Sequence, residues 1–560
     1  MVPEQLLSED FGGDSEPLPE SLWQWLREAG ASSPKNLALV VENQDKPTIT
    51  WTYDQLLDRV ERLASYLAQH QVKPGDTIFT FIDNDDGDAW TLLFWTAVRM
   101  GAIFAPEDPH TLGRAEETRK LIETLKPAVV VVQDFDSSRQ YEEYGHAPKV
   151  KLLCHEVSKA GTSSSWLPIH SLPDASSAPA PRHNPLADST AFVMNTSGST
   201  SLPKCCPITV RAFVAQTRQY QSFYRANFTP RTKQLNLALC FRPLCYLGSL
   251  NTWQRGGAVI FAGSRFQEER AIEMIRKWSV THTWLVPSMV NLLAAYFDGN
   301  ESQTSAQRMD SLEFVLMSGD ASALCTAEKA KAFLPEACKL APSWGMSEGA
   351  PVLGFVEDET PHVEQESKIV GSGRALRGSR LRVCKFGTTT PVPRETQGDF
   401  HVSSDTMITH YLEDRNAEDF YHDEHGTWFK TGDIAVMDGS GVVYIIGRTK
   451  DIIVYKGRNI YPAMMEGCLK EELPEIEAVC IGLEDRVNGA VPTVIVQELY
   501  VEKEAISKLV IDKLGAWAAL EGGVYALEDL EMEAWPMNSS NKIDKLELVR
   551  VVSELRNTTV

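Results

Sequence analysis

No run of about 18 apolar residues occurs in the 560-residue chain, so no membrane-spanning helix is expected. The opening stretch, MVPEQLLSEDFGG, lacks the basic and apolar regions of a secretory signal, and the closing Asn557-Thr-Thr-Val560 carries neither a prenylation box nor a peroxisomal tripeptide. A cytoplasmic protein is the default expectation. Cysteine is sparse: ten residues are scattered with no disulfide-framework or zinc-site spacing, and only Cys205-Cys206 and Cys240…Cys245 fall close together. Ordinary reduced thiols are expected. Positive charge is also short. With 54 Lys and Arg against 76 Asp and Glu the net charge is −22, which argues against nucleic acid, since a phosphate backbone needs clustered cations. The acidity reads as a solubility feature. A bound nucleotide would then depend on a few local cations and on backbone N–H groups.

What is present belongs to a soluble globular protein: 43% apolar and 23% charged residues, in a chain long enough for two to four core-bearing units. The first third alternates helix and strand. Thr52-Tyr-Asp-Gln55 has the form of a capping box, followed by Leu56, Val60, Leu63 and Leu67 at helical spacing. Thr77–Ile82 reads as a buried strand, Asp88–Met100 as a helix, Ala102–Ala105 as a strand, Arg114–Leu125 as a helix and Ala128–Val132 as a fully apolar strand. Such a β-α-β-α-β run predicts an α/β fold with parallel-rich sheets covered by helices. Ser171–Pro185, rich in Ser, Ala and Pro, reads as a loop between subdomains. Alternation resumes at Thr190, gives way to short strands and turns from about Gly371 to Gly447, and restarts after Lys450 as a small α/β unit. In that unit Ala478–Gly482 and Thr493–Leu499 read as strands, and Pro462–Glu472 and Glu502–Leu514 as helices.

The stretch with the most chemistry is Thr190–Ile208, TAFVMNTSGSTSLPKCCPI. An apolar strand runs into short hydroxyl residues and glycine, then Pro203-Lys204. Consecutive N–H groups, hydroxyl donors and one lysine form a phosphate cradle. The stretch does not fit G-x-x-x-x-G-K-[ST], so the common P-loop nucleotidases are not indicated. Taken alone, it also fits a Ser-rich surface loop.

TSGSTSLPK resembles the phosphate-binding signature of the acyl-adenylate-forming (AMP-binding) superfamily, which includes acyl-CoA synthetases, peptide-synthetase adenylation domains and luciferases. Further signatures follow in the superfamily's order, from about residue 50 to 550. Met317-Ser-Gly-Asp-Ala321 resembles the segment whose backbone packs on adenine; Trp344-Gly-Met-Ser-Glu348 resembles Y-G-x-T-E; Phe429-Lys-Thr-Gly-Asp433 contains T-G-D. Gly447-Arg-Thr-Lys-Asp451 resembles the hinge signature, and Pro536-Met-Asn-Ser-Ser-Asn-Lys-Ile-Asp544 resembles P-x-T-x-x-G-K-I.

The resemblance implies a large N-terminal domain, 1–449, with subdomains of about 1–185, 186–365 and 366–449, and a small mobile lid domain, 450–560, carrying a catalytic lysine. It implies that Thr196, Ser197, Gly198, Ser199 and Thr200 cradle phosphate beside Lys204. Asp320, Ala321, Gly345 and Met346 would line the adenine site, and Trp344 would stack on the base. Ser347 would bond the α-phosphate and Glu348 would hold Mg²⁺. Asp433 and Arg448 would reach the ribose, Lys450 would be the domain pivot, Gly457 would line the thiol tunnel, and Lys542 would act in adenylation. The acid pocket would include Phe241, Cys245, Tyr246 and Gly319. The implied cofactors are ATP, Mg²⁺ and coenzyme A or a phosphopantetheine arm. The implied partners are a small carboxylic acid and, as an alternative acceptor, a separate carrier protein or synthase. The chemistry needs these residue types because a carboxylate must attack the α-phosphorus of a polyanion, so Lys204, Lys542 and a metal on Glu348 would offset the repulsion.

Three positions depart from the pattern. Ser201 stands where the superfamily has glycine, so a positive φ there would be strained and would weaken ATP binding. Cys245 stands at the expected histidine, and Asn541 at the glycine before Lys542, where asparagine tolerates positive φ best among non-glycine residues. No aspartate stands where amino-acid-activating relatives hold an α-amine, which favours a fatty or aryl acid. Eighteen residues follow Lys542, too few for a carrier domain, so the thiol is expected from outside, coenzyme A first. Two rival readings remain: a nucleotide-binding but inactive adenylating fold, and a serine hydrolase. The second takes Gly345-Met-Ser-Glu-Gly349 as a nucleophile elbow, Ser347 as nucleophile and His362, His401 or His425 as base.

Overall fold

The computed structural model describes residues 6–15, 21–44, 46–155, 165–172, 186–196, 203–224, 228–298, 309–318, 324–355, 369–473, 476–485, 487–537 and 543–558. The Ser171–Pro185 loop expected from composition lies outside them from 173 onward.

The alternating first third folds as its periodicity predicts. Helix Tyr53–Gln69 starts at Thr52, whose hydroxyl accepts from Gln55 N while the Gln55 side chain accepts from Thr52 N. Strands Thr77–Phe81, Ile103–Glu107 and Val129–Val132 pair in parallel around helices Gly87–Met100 and Ala115–Leu125. Val129 and Val131 face one core while Val130 and Val132 face another, which is why this strand is apolar at every position.

Two seven-stranded sheets and an antiparallel one build the large part of the molecule. In the first, strands 204–209, 190–196, 103–107, 77–81, 129–132, 150–153 and 167–168 lie side by side. In the second the order is 339–342, 314–317, 282–285, 233–236, 258–261, 37–41 and 49–52, parallel except for the last pair. Helices Gly87–Met100, Val210–Tyr224 and Pro243–Gln254 fill the space between these sheets, and one apolar cluster runs through all of them. The sheets cross the segment limits expected at 185 and 365. Leu37–Val41 joins the second sheet beside Ala258–Phe261, and Thr190–Thr196 joins the first beside Ile103–Glu107. Glu9–Phe11 pairs with Ser379–Cys384 in the third sheet, where strands 398–404, 426–437, 420–423 and 443–448 follow.

After Lys450 the chain forms a five-stranded sheet with its own core around Met465, Leu469, Val494 and Leu548. The helix Pro462–Glu472 occupies the span its periodicity predicts, with Pro462 at its first turn. Tyr461 and Met464 pack against Ile369, Ile434 and Ile446 of the large part, a small apolar seam between the two units.

Candidate active site

Strand Thr190–Thr196 and strand Lys204–Thr209 pair antiparallel, and Lys204 stands opposite Thr196 in register. The two residues therefore share the mouth of a hairpin. Its tip, including Ser197, Gly198, Ser199, Thr200 and Ser201, lies outside the described residues. Lys204 Nζ is 3.4 Å from Asp419 Oδ2 and 4.7 Å from the centre of the Tyr411 ring. Arg415 Nη1 donates to the Pro203 carbonyl at 2.8 Å, fixing the hairpin's return. On the outgoing side Asn195 Nδ2 donates to Glu107 Oε2 at 2.6 Å, while Asp108 N and Thr111 Oγ1 donate to Glu107 Oε1. Burial raises the Glu107 carboxyl above its usual range against these bonds. This anchor was not read from the sequence, because Glu107 and Asn195 lie far apart and belong to no shared motif.

The nucleoside end forms where three segments meet. Ser343 N donates to the Met317 carbonyl at 2.8 Å, so the ends of strands Phe314–Met317 and Lys339–Pro342 are neighbours. They bring Trp344 to the end of strand Phe314–Met317; Gly319, Asp320 and Ala321 are outside the described residues. Trp344 packs edge-on against Phe400 at 5.3 Å and donates its indole N–H to Asp433 Oδ2 at 3.0 Å. Asp433 stands opposite Arg448 across the antiparallel pair, with Arg448 Nε 3.3 Å from Oδ1. Asp433 is 4% exposed, whereas the Arg448 side chain is about half exposed. Thr431 and Gly432 set up the turn: Asp433 N donates to Thr431 Oγ1, which donates to the Phe400 carbonyl. Trp344, Asp433 and Arg448 thus form one unit, joined by a hydrogen bond and an ion pair. The indole N–H, which a tyrosine would not supply in this way, helps hold the aspartate.

Gly345, Met346, Ser347 and Glu348 form a tight turn bridged from Met346 to Gly349. Gly349 has φ +154°, and a Cβ there would lie 2.5 Å from the Thr406 carbonyl oxygen. Glycine therefore lets the turn press on the segment leading to Tyr411, where Ile408 N donates to the Glu348 carbonyl. Tyr411 Oη donates to Glu348 Oε1 at 2.6 Å. Burial, and then the adjacent carboxylate, push the Tyr411 phenol far above its usual range. Among the described residues no group of three or more His, Cys, Asp and Glu side chains gathers as a metal cage. A lone carboxylate with Oε2 outside the Tyr411 bond fits a hard cation that arrives with phosphate oxygens.

This geometry corrects the hydrolase alternative. A nucleophile elbow requires strand, turn and helix, but the turn at Ser347 leads to a bridge and then to the short strand Leu353–Gly354. His401 is 1% exposed and shares a hydrogen bond with Tyr421 Oη at 3.1 Å. Burial, then Lys430 and Arg382, push its pKa down to about 4. His425 lies beside Glu424 on the surface, and His362 is outside the described residues.

In the expected acid-pocket stretch, Arg242 caps helix Pro243–Gln254 and its guanidinium lies 5.4 Å over the Phe241 ring. Cys245 is fully buried and its Sγ accepts from Asn236 Nδ2 at 2.8 Å. Burial pushes its thiol well above the usual range. Tyr246, 1% exposed, donates to Gln216 Oε1 at 3.0 Å, and Gln216 donates to the Thr406 carbonyl.

Lys450 lies in the 3-10 turn Thr449–Asp451 that joins the third sheet to the small unit. Gly457 and Lys456 have φ of +75° and +49°, making the two-residue turn of the hairpin Ile453–Tyr455 to Arg458–Ile460. Lys542 and Asn541 are outside the described residues. The flanking chain is pinned by a Met537–Ile543 bridge and by Asp544 N donating to the Pro536 carbonyl at 2.7 Å.

The model of the AMP-binding enzyme family matches residues 26–412. An acyl–CoA ligase of Pestalotiopsis microspora is 28% identical over 527 residues, covering 91% of this chain and 88% of that protein. A 4-coumarate–CoA ligase of Humulus lupulus is 26% identical over 444 residues, covering 78% and 77%. Among solved structures, ATP-bound MatB of Rhodopseudomonas palustris superposes with a TM-score of 0.78 at 19% identity, over 95% of this chain and 99% of that one. The o-succinylbenzoate CoA synthetase MenE of Bacillus subtilis, bound to its acyl-adenylate, gives 0.72 at 19% identity over 94% and 97%. At these identities the structural likeness speaks for the fold.

Proposed function

The chain belongs to the AMP-binding enzyme family, and from that premise we propose that it activates a fatty or aryl carboxylic acid with ATP and passes the acyl group to coenzyme A. It is an AMP-forming acid–thiol ligase. The observation that carries the reading is the meeting of Lys204 and Thr196 at one hairpin mouth, Glu348 on the adjoining turn, and the Trp344–Asp433–Arg448 unit beside it.

In the first half-reaction a carboxylate oxygen of the acid bonds to the α-phosphorus of ATP, and the bond to the bridging oxygen breaks to release pyrophosphate. In the second the thiolate of coenzyme A bonds to the acyl carbon, and AMP leaves with the electron pair. Lys204 attracts phosphate oxygens, Ser347 donates to the α-phosphate, and Asp433 accepts from the ribose hydroxyls. Bound Mg²⁺ would supply Lewis-acid charge at the phosphates, with Glu348 as its protein ligand. The relatives named for 4-coumarate support an aryl acid, and the relatives named as CoA ligases support coenzyme A over a carrier protein. Retention of Lys204, Glu348, Asp433 and Arg448 in one constellation weighs against the inactive-fold alternative.

The test is acid-dependent exchange of pyrophosphate into ATP over a panel of fatty, aryl and amino acids, followed by thioester formation with coenzyme A or a phosphopantetheine-loaded carrier protein. Exchange with one acid class and thioester on coenzyme A are expected. Measurable ATP binding without exchange for any acid would overturn the reading, and Ser201→Gly would then be the first change to try.

Asp433→Ala is expected to raise the KM for ATP about 10- to 100-fold. Bonds to a charged acceptor are worth about 1.5–3 kcal/mol each, and the variant also releases the Trp344 indole. Initial rates at varied ATP would check it, and a KM within twofold of wild type would contradict the ribose role.

A further inference from the structure

We infer that Tyr411, through its two faces, is a positioning residue that holds Glu348 for the metal and Lys204 for the phosphates at a set spacing; the inference rests on the reading of Glu348 as the metal ligand. Tyr411 lies in none of the signatures that point to the reaction, yet it touches both charged groups. Its hydroxyl donates to Glu348 Oε1 at 2.6 Å, a short charge-assisted bond. Its ring carries the Lys204 ammonium 4.7 Å from the centroid.

The ring is not free to adjust. Tyr411 is 1% exposed and packs edge-on against Phe420 at 5.6 Å and Phe429 at 6.4 Å. The backbone repeats the grip, since Ile408 N donates to the Glu348 carbonyl at 2.8 Å three residues before the ring. Gly349 removes the Cβ that would otherwise hold this segment away from the turn. One rigid aromatic plane therefore ties the hairpin cation to the turn carboxylate. Oε1 accepts from the phenol, which leaves Oε2 outside that bond.

Two variants separate the faces. Tyr411→Phe keeps the ring under Lys204 and removes the bond to Glu348. Tyr411→Leu removes both. ATP binding is measured by calorimetry, without metal and across a Mg²⁺ titration, so the readout does not depend on turnover. For Tyr411→Phe, metal-free ATP affinity is expected to stay within twofold of wild type. The Mg²⁺ concentration that half-restores tight ATP binding is expected to rise about tenfold. For Tyr411→Leu, metal-free ATP affinity is expected to fall about threefold as well. Glu348→Gln should abolish most of the Mg²⁺ response, and adding Tyr411→Phe to it should change little further.

A wild-type Mg²⁺ response in Tyr411→Phe beside a lost response in Glu348→Gln would overturn the positioning role alone. An unchanged response in Glu348→Gln would overturn the metal role of Glu348 and the coupling with it. Absence of acid-dependent exchange in the wild type would instead strike the proposed reaction, while the binding titrations would still decide on Tyr411. Thermal melts of all variants guard against loss of the fold, and Tyr411→Phe, which removes one oxygen, is the variant on which the decision rests.

Discussion

Lys542→Ala is expected to slow acid-dependent pyrophosphate exchange about a thousandfold while the unfolding profile stays that of the wild type. The reasoning is electrostatic. Adenylation brings a carboxylate to a polyphosphate, and a cation about 4 Å from the developing charge is worth about 4 kcal/mol at an effective dielectric near 20. At about 1.4 kcal/mol per tenfold, that amounts to roughly three powers of ten in rate. Lys542 itself lies outside the described residues, and the core of the small unit is built without it. That core is held by residues such as Met465 and Val494, and the chain after Lys542 is anchored by Lys545 Nζ, 2.7 Å from Glu466 Oε1. Transfer from a synthetic acyl-adenylate to coenzyme A should be far less affected, because no charge then develops on pyrophosphate. A drop of less than tenfold in exchange, with the fold intact, would remove Lys542 from the adenylation step.

Trp253→Ala is expected to destabilise the large part of the molecule by about 3–5 kcal/mol, the usual cost of truncating a buried tryptophan. Trp253 is fully buried on helix Pro243–Gln254 and donates Nε1–H to the Ala38 carbonyl at 2.8 Å. Trp95 lies edge-on at 5.6 Å, Phe94 is 6.3 Å away, and Tyr53 Oη donates to the Trp253 carbonyl. The substitution thus empties a cavity where the inter-sheet helices meet the strand Leu37–Val41, and it leaves a buried carbonyl without its donor. Trp253→Phe, which keeps most of the apolar volume but loses the N–H, should cost about 1–2 kcal/mol. Denaturant titrations followed by near-UV and far-UV circular dichroism would measure both. Equal costs for the two variants would mean that the hydrogen bond, not the volume, dominates the site.

Lys542 and Trp253 differ in how far the sequence marks them. Lys542 stands in a signature that a reader can recognise without any structure. Trp253 is one of 13 tryptophans, and nothing in its neighbourhood distinguishes it from a half-exposed one. The same contrast runs through the active site. Thr196, Lys204, Trp344, Glu348, Asp433 and Arg448 stand in short segments of recognisable chemistry, and the fold brings those segments together. Cys245 stands at the position expected for a histidine, and only the structure shows that its thiol is buried and accepts from Asn236. Tyr411, Glu107 and Asn195 carried no signal, since each acts through a partner more than 60 residues away in sequence.

What the sequence determined by itself is local. Side-chain periodicity and capping chemistry specify helix Tyr53–Gln69 from Thr52 and Gln55, the all-apolar strand Val129–Val132, and helix Pro462–Glu472 behind its proline, because each depends on residues a few positions apart. The tertiary structure alone decided that Leu37–Val41 lies beside Ala258–Phe261, that Asp433 faces Arg448 and is held by Trp344, and that Tyr411 joins Lys204 to Glu348. An apolar strand announces that it will be buried, not against which neighbour. That choice is made by the packing of whole layers, where chain segments far apart compete for the same faces and only one arrangement fills the core while satisfying the buried polar groups.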